Sequence, residues 1–436
     1  MYLEGKLETK IFTDPIFDDV RHVRDLAIYL NGCIEREMEK VNGGLFIDDL
    51  LIEILLRLPL KTLFALKSVS KRWYRIISSP CFRQRYQSQR NEQDDSLSAL
   101  LGFFQSVKQN SFMPTSPQLS NNGFVCLNLY GDLLIGSSNG LLLYYNHSFR
   151  VYRICNPITR EWLSLPHSGD HLNNAIGFDV EGISDQDCKL EKFKFKVVCI
   201  KLSSFLVNTL EMEVFSSENK IWVEYTLLAT TGCLLFRPLE YAVVIDGVYY
   251  WWERLHRVVA YDSKSSQELV VNIVEVIQLP ERNSVTIERS FVLGKSKDGL
   301  LQYVTSDTFK IVIWVRDGIG ASKWILRHTV SFMLMRHQYP DIMSSCDLIL
   351  NQEALRNERN ANVPELAALH PLNPDIVFIR LDKMIFQYCL DSGCLKRVQL
   401  HGNEIMLGES RLPKQPLDIC KALFPYFLPT WAYSLL

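Results

Sequence analysis

Along the chain the apolar residues change from a period of three to four to a period of two, and that change divides the sequence. Residues 19 to 41 place Val20, Val23, Leu26, Ala27, Leu30, Ile34, Met38 and Val41 at helical spacing ahead of the stop signal Asn42-Gly43-Gly44, which predicts one amphipathic helix. A denser helical block follows. Leu50, Leu51, Ile54, Leu55 and Leu58 form an apolar face that Asp48 or Asp49 can cap and Pro59 ends. Leu60, Leu63, Leu66 and Val69 continue at helical spacing, and a third helix holding Trp73, Ile76 and Ile77 runs from a Ser70 cap to Pro80. Three short helices cannot bury all these faces against one another, so part of the apolar surface is expected to meet a partner.

The polar stretch from Ser88 to Ser98 reads as the start of a linker, and from about Gly123 strand signals dominate. One plan recurs there: an apolar run, a polar turn, a second apolar run. It begins at Val151, where Asn156-Pro157 makes the turn, and again at Leu210, Val258, Ile311 and Ile385. Trp162, Trp222 and Trp324 take the same place after the turn, with Glu268 or Leu269 near the middle of the longer interval. Each unit leaves faces that only a neighbouring sheet can cover, the physical reason such units stack radially into a propeller. A two-sheet sandwich is the rival, but five hairpin units exceed what one sandwich normally holds. The fold class is therefore α+β and multidomain: a small three-helix module followed by an all-β, propeller-like domain of irregular repeats. The expected boundaries are a helical extension over 1–44, the module over 45–90, a linker over 91–122 and the β domain over 123–436.

Composition adds mostly exclusions. The 436 residues are 47% hydrophobic and 22% charged with a formal net charge of -2, so no global attraction to polyanions is expected. Eleven cysteines without a C-x-x-C pair suggest reduced, buried thiols rather than a zinc ribbon or a disulfide framework. The N-terminus has no apolar signal core and no run is long enough to span a membrane, so the nucleus, the cytoplasm or both are expected. The N-x-S at Asn146 is then a chance match.

Several fragments suggest chemistry. "GSSNG" matches G-x-S-x-G, with Ser138 as the nucleophile of an esterase, but that elbow needs a helix after it and the residues after Gly140 alternate as a strand. Asn139-Gly140 reads instead as a tight hairpin turn. "GKS" at Gly294 has Arg289 where a phosphate loop needs glycine, and "DGIGASK" at Asp317 lies in a strand-turn-strand setting. His167 and His171 lack a third ligand and a shared helix face. No catalytic residue, metal or cofactor is expected. From Ile54 to Asn91 there are nine basic residues and no acid, Lys71, Arg72 and Arg75 among them. With Trp73 and Tyr74 between them they make a possible nucleic-acid footprint, yet a solvated helix face that complements an acidic protein explains them equally.

The helical block resembles the F-box, a family of three-helix modules that dock on the Skp-type adaptor of cullin ubiquitin ligases. The resemblance is carried by "DDLLIEILLRLPLKTL" and "SVSKRWYRIISSPCF", with Pro59, Lys71 and Trp73 at the family's positions. It departs at the opening, where the usual Leu-Pro is Phe46-Ile47, and at Val69-Ser70-Lys71, where the family has Val-Cys-Lys. The resemblance implies adaptor contact by Phe46, Ile47, Leu50, Leu51, Ile54, Leu55, Leu58, Pro59, Leu63, Val69, Lys71 and Trp73. The strand-rich half resembles the F-box-associated domain of plant F-box proteins, a kelch-like propeller relative, in "GSSNGLLLYY", "CNPITREWLSLP" and "FPYFLPTW". Together they imply a substrate receptor whose module binds the adaptor, and through it a cullin, while the β domain holds an unknown target protein. The mechanism is positioning, which raises the local concentration of target lysines. The alternative is an interaction protein acting outside ubiquitination through its basic patch, in association with nucleic acid. In the β domain the three tryptophans are expected to be buried and structural, whereas replacing loop residues such as Arg254 and His256 is expected to leave the melting temperature alone and to remove a target selectively.

Overall fold

The computed structural model describes residues 46–58, 63, 66, 67, 71–79, 81, 82, 85, 86, 100–105, 111–115, 132–157, 161–167, 174–181, 194–202, 205–233, 241–253, 256–264, 272–280, 290–317, 323–343, 364–371, 373–381, 384–400 and 423–427. The helix expected over 19–41, the Ser70 cap and the tandem Glu268-Leu269 lie outside them.

Helix α1 (Phe46–Leu56) and helix α2 (Lys71–Ile77) belong to the module. Between them Leu63 and Leu66 are helical, and Phe82 and Tyr86 follow α2. The spacing of apolar residues dictates the packing: Leu51, Leu55, Leu58, Leu63, Leu66, Trp73, Ile77, Phe82 and Tyr86 are all buried. The Tyr86 hydroxyl donates to the carbonyl of Leu58 at 3.0 Å, satisfying a carbonyl at the end of the first helical segment. Glu53 and Arg85 pair across the module's surface.

Among the described residues the β domain contains five antiparallel four-stranded meanders. They are β3–β6 (Asp132–Ser138, Leu141–Asn146, Val151–Asn156, Glu161–Ser164) and β7–β10 (Asn174–Glu181, Lys194–Lys201, Val207–Ser216, Trp222–Cys233). Next come β11–β14 (Val243–Ile245, Val248–Glu253, Arg257–Asp262, Asn272–Gln278) and β15–β18 (Ser290–Lys295, Leu301–Ser306, Lys310–Arg316, Trp324–Ser331). The fifth is β19–β22 (Glu365–Leu369, Ile376–Leu381, Met384–Cys389, Leu395–Val398). Helices α3 (Phe332–Gln338) and α4 (Pro340–Met343) link the fourth and fifth meanders. The five hairpin units of the sequence are the third and fourth strands of these five blades.

A sixth sheet closes the set. It is built from β1 (Leu100–Gln105), β2 (Ser111–Pro114) and the far end of the chain, β23 (Leu423–Phe427), in the order β2-β1-β23. β23 pairs antiparallel with β1, for example Phe103 opposite Pro425. The first strands of the blades touch in the order β3, β7, β11, β15, β19, β23 and back to β3. Residues 100–114 were expected to fall in the linker 91–122; instead the β domain is already under way at Leu100. The polar stretch before Leu100 masked this start, and one of the two strands that pair with β1 lies at the other end of the sequence.

The hydrophobic core is divided among the junctions between blades. Phe178, Val197 and Phe215 of the second blade pack on Leu143, Tyr145 and Tyr152 of the first. Phe103 meets Phe378 edge-on at 5.2 Å between the sixth and fifth, and Phe104 joins Leu142 and Tyr144 between the sixth and first. The first strands approach their neighbours so closely that small residues are required. A Cβ at Gly177 would lie 2.4 Å from the Tyr249 ring, and one at Gly294 would lie 2.5 Å from Leu369.

Candidate functional site

In the helical module, Leu51, Leu55, Leu58, Leu63 and Trp73 face the module's own interior. Any part they play in docking is through holding the helices. Ile54 is half-exposed and Lys71 exposed, with Arg72, Tyr74 and Arg75 also exposed along α2. Pro59 and Val69, and the side chains of Phe46, Ile47 and Leu50, lie outside the described residues. The outer face of α2 is therefore basic, with one aromatic ring among its exposed residues.

In the ring, the turns joining first to second and third to fourth strands lie at one end, here the hairpin end. The second-to-third turns and the connections between blades lie at the other, the crossover end. At the hairpin end the turn between β3 and β4 places Asn139 and Gly140 at φ 44° and 78°, the left-handed pair of a tight hairpin turn. The neighbouring Ser138 hydroxyl accepts from the Val180 amide at 3.2 Å, and Asn139 Nδ2 donates to the Val180 carbonyl at 2.6 Å. Strand β4 follows, so the apparent nucleophile elbow is a staple between the first and second blades. "DGIGASK" spans the hairpin between β17 and β18, where the Asp317 amide donates to the Lys323 carbonyl at 3.0 Å. "GKS" lies at the end of β15, against Leu369.

Two lysines at this end tie neighbouring blades. Lys295 pairs with Asp246 at 2.8 Å, and Lys297 bridges Asp391 at 2.8 Å and Asp375 of the next blade. Burial pushes the Cys199 thiol up to about 12 and the Cys233 thiol up to about 11, so both stay protonated and non-nucleophilic at neutral pH. Among the described residues no group of three or more His, Cys, Asp or Glu is placed to hold a metal ion. His171 lies outside those residues, and His167 is exposed after β6.

At the crossover end, Asp132 and Asn146 are buried, and Asn146 Nδ2 donates to Asp132 Oδ1 at 2.6 Å. A buried Asn146 also removes the N-x-S match as an accessible acceptor. The aromatic at the next turn, Phe149, is 66% exposed. Sequence reading passed over it; the available signal was a phenylalanine inside the otherwise polar turn "NHSFR". His256, expected to be a loop residue whose replacement leaves the melting temperature alone, is instead built in. Its ring lies edge-on to Trp252 and Tyr303, and Nε2 is 2.9 Å from the Pro280 carbonyl. Arg254 lies outside the described residues.

Around the rim, four of the six junctions carry a clasp of their own among the described residues. Trp222, at the start of β10, donates its indole N–H to the Pro166 carbonyl just past β6, at 2.9 Å. Trp324, at the start of β18, does the same to Gln278 at the end of β14, at 2.8 Å. Between the second and third blades, β10 runs on and pairs in parallel with β14, Leu227–Ala229 against Asn272–Val274. Between the fourth and fifth, the Tyr339 hydroxyl donates to the Gly393 carbonyl ahead of β22. The three tryptophans, expected to be buried, are half-buried.

Comparison with known proteins agrees with this geometry. The profile described as "F-box protein At3g26010-like, beta-propeller" matches residues 100–351, more than half of the chain. The chain belongs to this family of F-box propeller proteins. A separate F-box domain profile matches residues 47–85. Among relatives, F-box protein At5g03970 of Arabidopsis thaliana is 29% identical over 414 residues, covering 89% of this chain and 88% of that protein. F-box protein At5g49610 of the same plant is 25% identical over 323 residues, covering 71% and 85%. F-box protein At3g26010 is 29% identical over 202 residues, covering 44% and 46%. The propeller profile starts at Leu100, where β1 starts, and not at 123.

Proposed function

We propose that this chain is the substrate-recognition subunit of a cullin-type ubiquitin ligase, its F-box docking on a Skp-type adaptor and its propeller binding a target protein. The observation that supports this reading is the pairing, in one chain, of an F-box match over 47–85 with a closed ring whose core is fully used between blades. Such a ring offers its two ends and rim to partners and needs none to be stable. The chain performs no bond chemistry; it brings a target close to a charged conjugating enzyme, and the gain is in effective concentration. It works in the nucleus, the cytoplasm or both.

The basic, partly aromatic outer surface of α2 suits an acidic protein partner, and the half-exposed Ile54 supplies an apolar contact beside it. The test is co-purification of the full chain with a Skp-type adaptor and a cullin. Wild type is expected to carry both, Ile54→Asp to lose them while the ring melts unchanged, and Phe46→Leu with Ile47→Pro to bind more tightly. Absence of adaptor from the wild-type complex would overturn the assignment, and salt-sensitive retention of nucleic acid in its place would favour the basic-patch alternative.

A further inference from the structure

The cysteines among the described residues differ in setting. Cys155, Cys199 and Cys233 are buried in the junctions between blades, and Cys81 is exposed on the helical module. Cys389 and Cys394 belong to neither kind. Both are half-exposed, and they stand at the two ends of the turn that joins β21 to β22 at the hairpin end of the fifth blade.

The strand register sets this pair face to face. Tyr388 lies opposite Leu395, so the next rung toward the turn is Cys389 against Cys394, and the Cys389 amide donates to the Cys394 carbonyl at 2.9 Å. Side chains on one antiparallel rung leave the same face of the sheet, with Cβ atoms about 4.5 to 5.5 Å apart. A disulfide needs Cβ atoms about 3.5 to 4.5 Å apart, so closing one here takes a movement of about 1 Å. The rung is the last before the turn. Beyond it the Gly393 amide, at φ 66°, donates to the Cys389 carbonyl at 2.9 Å, so the movement displaces the turn rather than a whole strand.

That turn carries the ties between the fifth blade and the fourth. Asp391 pairs with Lys297 at 2.8 Å, and the Gly393 carbonyl accepts from the Tyr339 hydroxyl at 2.8 Å. The Leu390 amide donates at 2.7 Å to the carbonyl of Asp375, whose carboxylate Lys297 also reaches. A change at the Cys389-Cys394 rung is therefore passed to Lys297 and Tyr339.

We propose that Cys389 and Cys394 are a thiol-modification site that closes reversibly to a disulfide, with a small disulfide such as glutathione disulfide as the oxidant. This goes beyond the receptor reading and does not depend on it. One cysteine, as its thiolate, attacks a sulfur of glutathione disulfide; a mixed disulfide forms and one glutathione leaves. The second cysteine then attacks the protein-side sulfur and displaces the other glutathione. The two protein thiols give up two protons and two electrons, and one glutathione disulfide takes them up to become two thiols. A bridge that must draw its rung inward is strained, and strained or exposed disulfides are the easily reduced ones. In a reducing compartment such a bond is a transient sensor rather than a permanent staple.

The experiment equilibrates the full chain in mixtures of glutathione and glutathione disulfide, quenches it in acid, blocks free thiols with N-ethylmaleimide and digests it with trypsin. Both cysteines fall in one tryptic peptide, Met384–Lys396. That peptide is expected in two forms, one blocked at both thiols and one blocked at neither and lighter by two hydrogens. The second form should grow with the share of glutathione disulfide and disappear on return to glutathione. Cys389→Ser and Cys394→Ser should each abolish it and leave the remaining cysteine carrying glutathione. Amide exchange of the closed protein should change several-fold at the turn and around Lys297 and Tyr339, and stay the same in the first blade. A wild-type peptide that carries glutathione without closing, a bond from either cysteine to any other, a bond that glutathione does not reopen, or exchange unmoved around Lys297 and Tyr339 would each overturn the proposal. The wild-type peptide decides the matter by itself if a variant misfolds, and thermal melts of the serine variants separate lost chemistry from lost fold.

Discussion

The helical module and the ring solve burial in opposite ways. In the module, residues within about forty positions of one another fill one interior, so its core is local in sequence. In the ring almost nothing is buried within a blade alone. Each interior belongs to two neighbours, and the last junctions exist only because β23, at the end of the chain, pairs with β1 at the start of the domain. A local core makes a region legible and separable. A shared one makes every blade depend on closure.

The sharpest way to break that comparison is to end the chain after Leu400. This removes β23, the first strand of the sixth sheet, and leaves β3 and β19 without their shared neighbour. The expected loss exceeds about 5 kcal/mol, comparable with the whole stability of an ordinary domain, and is read as loss of cooperative unfolding and of protease resistance. A truncated chain that still melts in one sharp transition would show that closure matters little. The counterpart in the module is Leu55→Asp. Leu55 is fully buried, so a charge there should unfold the module at a cost of several kcal/mol. Calorimetry should then show the ring's transition unmoved. A shift of both would mean that the two regions fold as one.

This difference also decides what could be read in advance. The apolar spacing of Leu51, Leu55, Leu58, Leu63 and Trp73 foretold a helical core, and those residues form it. It did not say which residues stay outside, because an adaptor-facing position and a core position share one pattern. In the ring the five hairpin units were visible because each alternates on its own. The closure of the sixth sheet was not, since β1 and β23 lie more than 300 residues apart in the chain. The missing tryptophan of the third blade has a physical reason as well. There β10 is long enough to pair with β14 directly, so the junction needs no indole clasp. Phe149 escaped because a turn was expected to be polar, and only its exposure shows it as an exception.

The next effect separates the two kinds of tryptophan. Trp251 is fully buried, stacks on Tyr249 at 5.7 Å and donates to the Ile176 carbonyl at 3.1 Å. Trp251→Ala should cost about 3 to 5 kcal/mol. Trp222 and Trp324 are half-buried and hold one rim bond each, so their replacement by Phe should cost about 1 kcal/mol, the net value of one hydrogen bond. Urea melts of the three variants check the order. Equal losses at all three would mean that the rim clasps carry as much of the ring as the buried junctions do.

The smallest effect tests the ionic hairpin end. Burial raises the Asp179 carboxyl above its ordinary range, and Glu181 adds to this, while Lys196 and Lys264 oppose it without cancelling it. A carboxyl whose folded-state value is raised binds its proton more tightly in the native chain than in the unfolded one. Stability from this group is therefore greatest at low pH, falls as pH rises between the unfolded and folded values, and stays reduced above both. Asp179→Asn removes the penalty. It should raise the melting temperature slightly at neutral pH and leave it unchanged below about pH 4, where the wild-type carboxyl is already protonated. Melting curves of both proteins across that range decide the matter. If the variant melted lower than wild type at neutral pH, attraction to Lys196 and Lys264 would outweigh burial, and Asp179 would count among the ties that hold the hairpin end together.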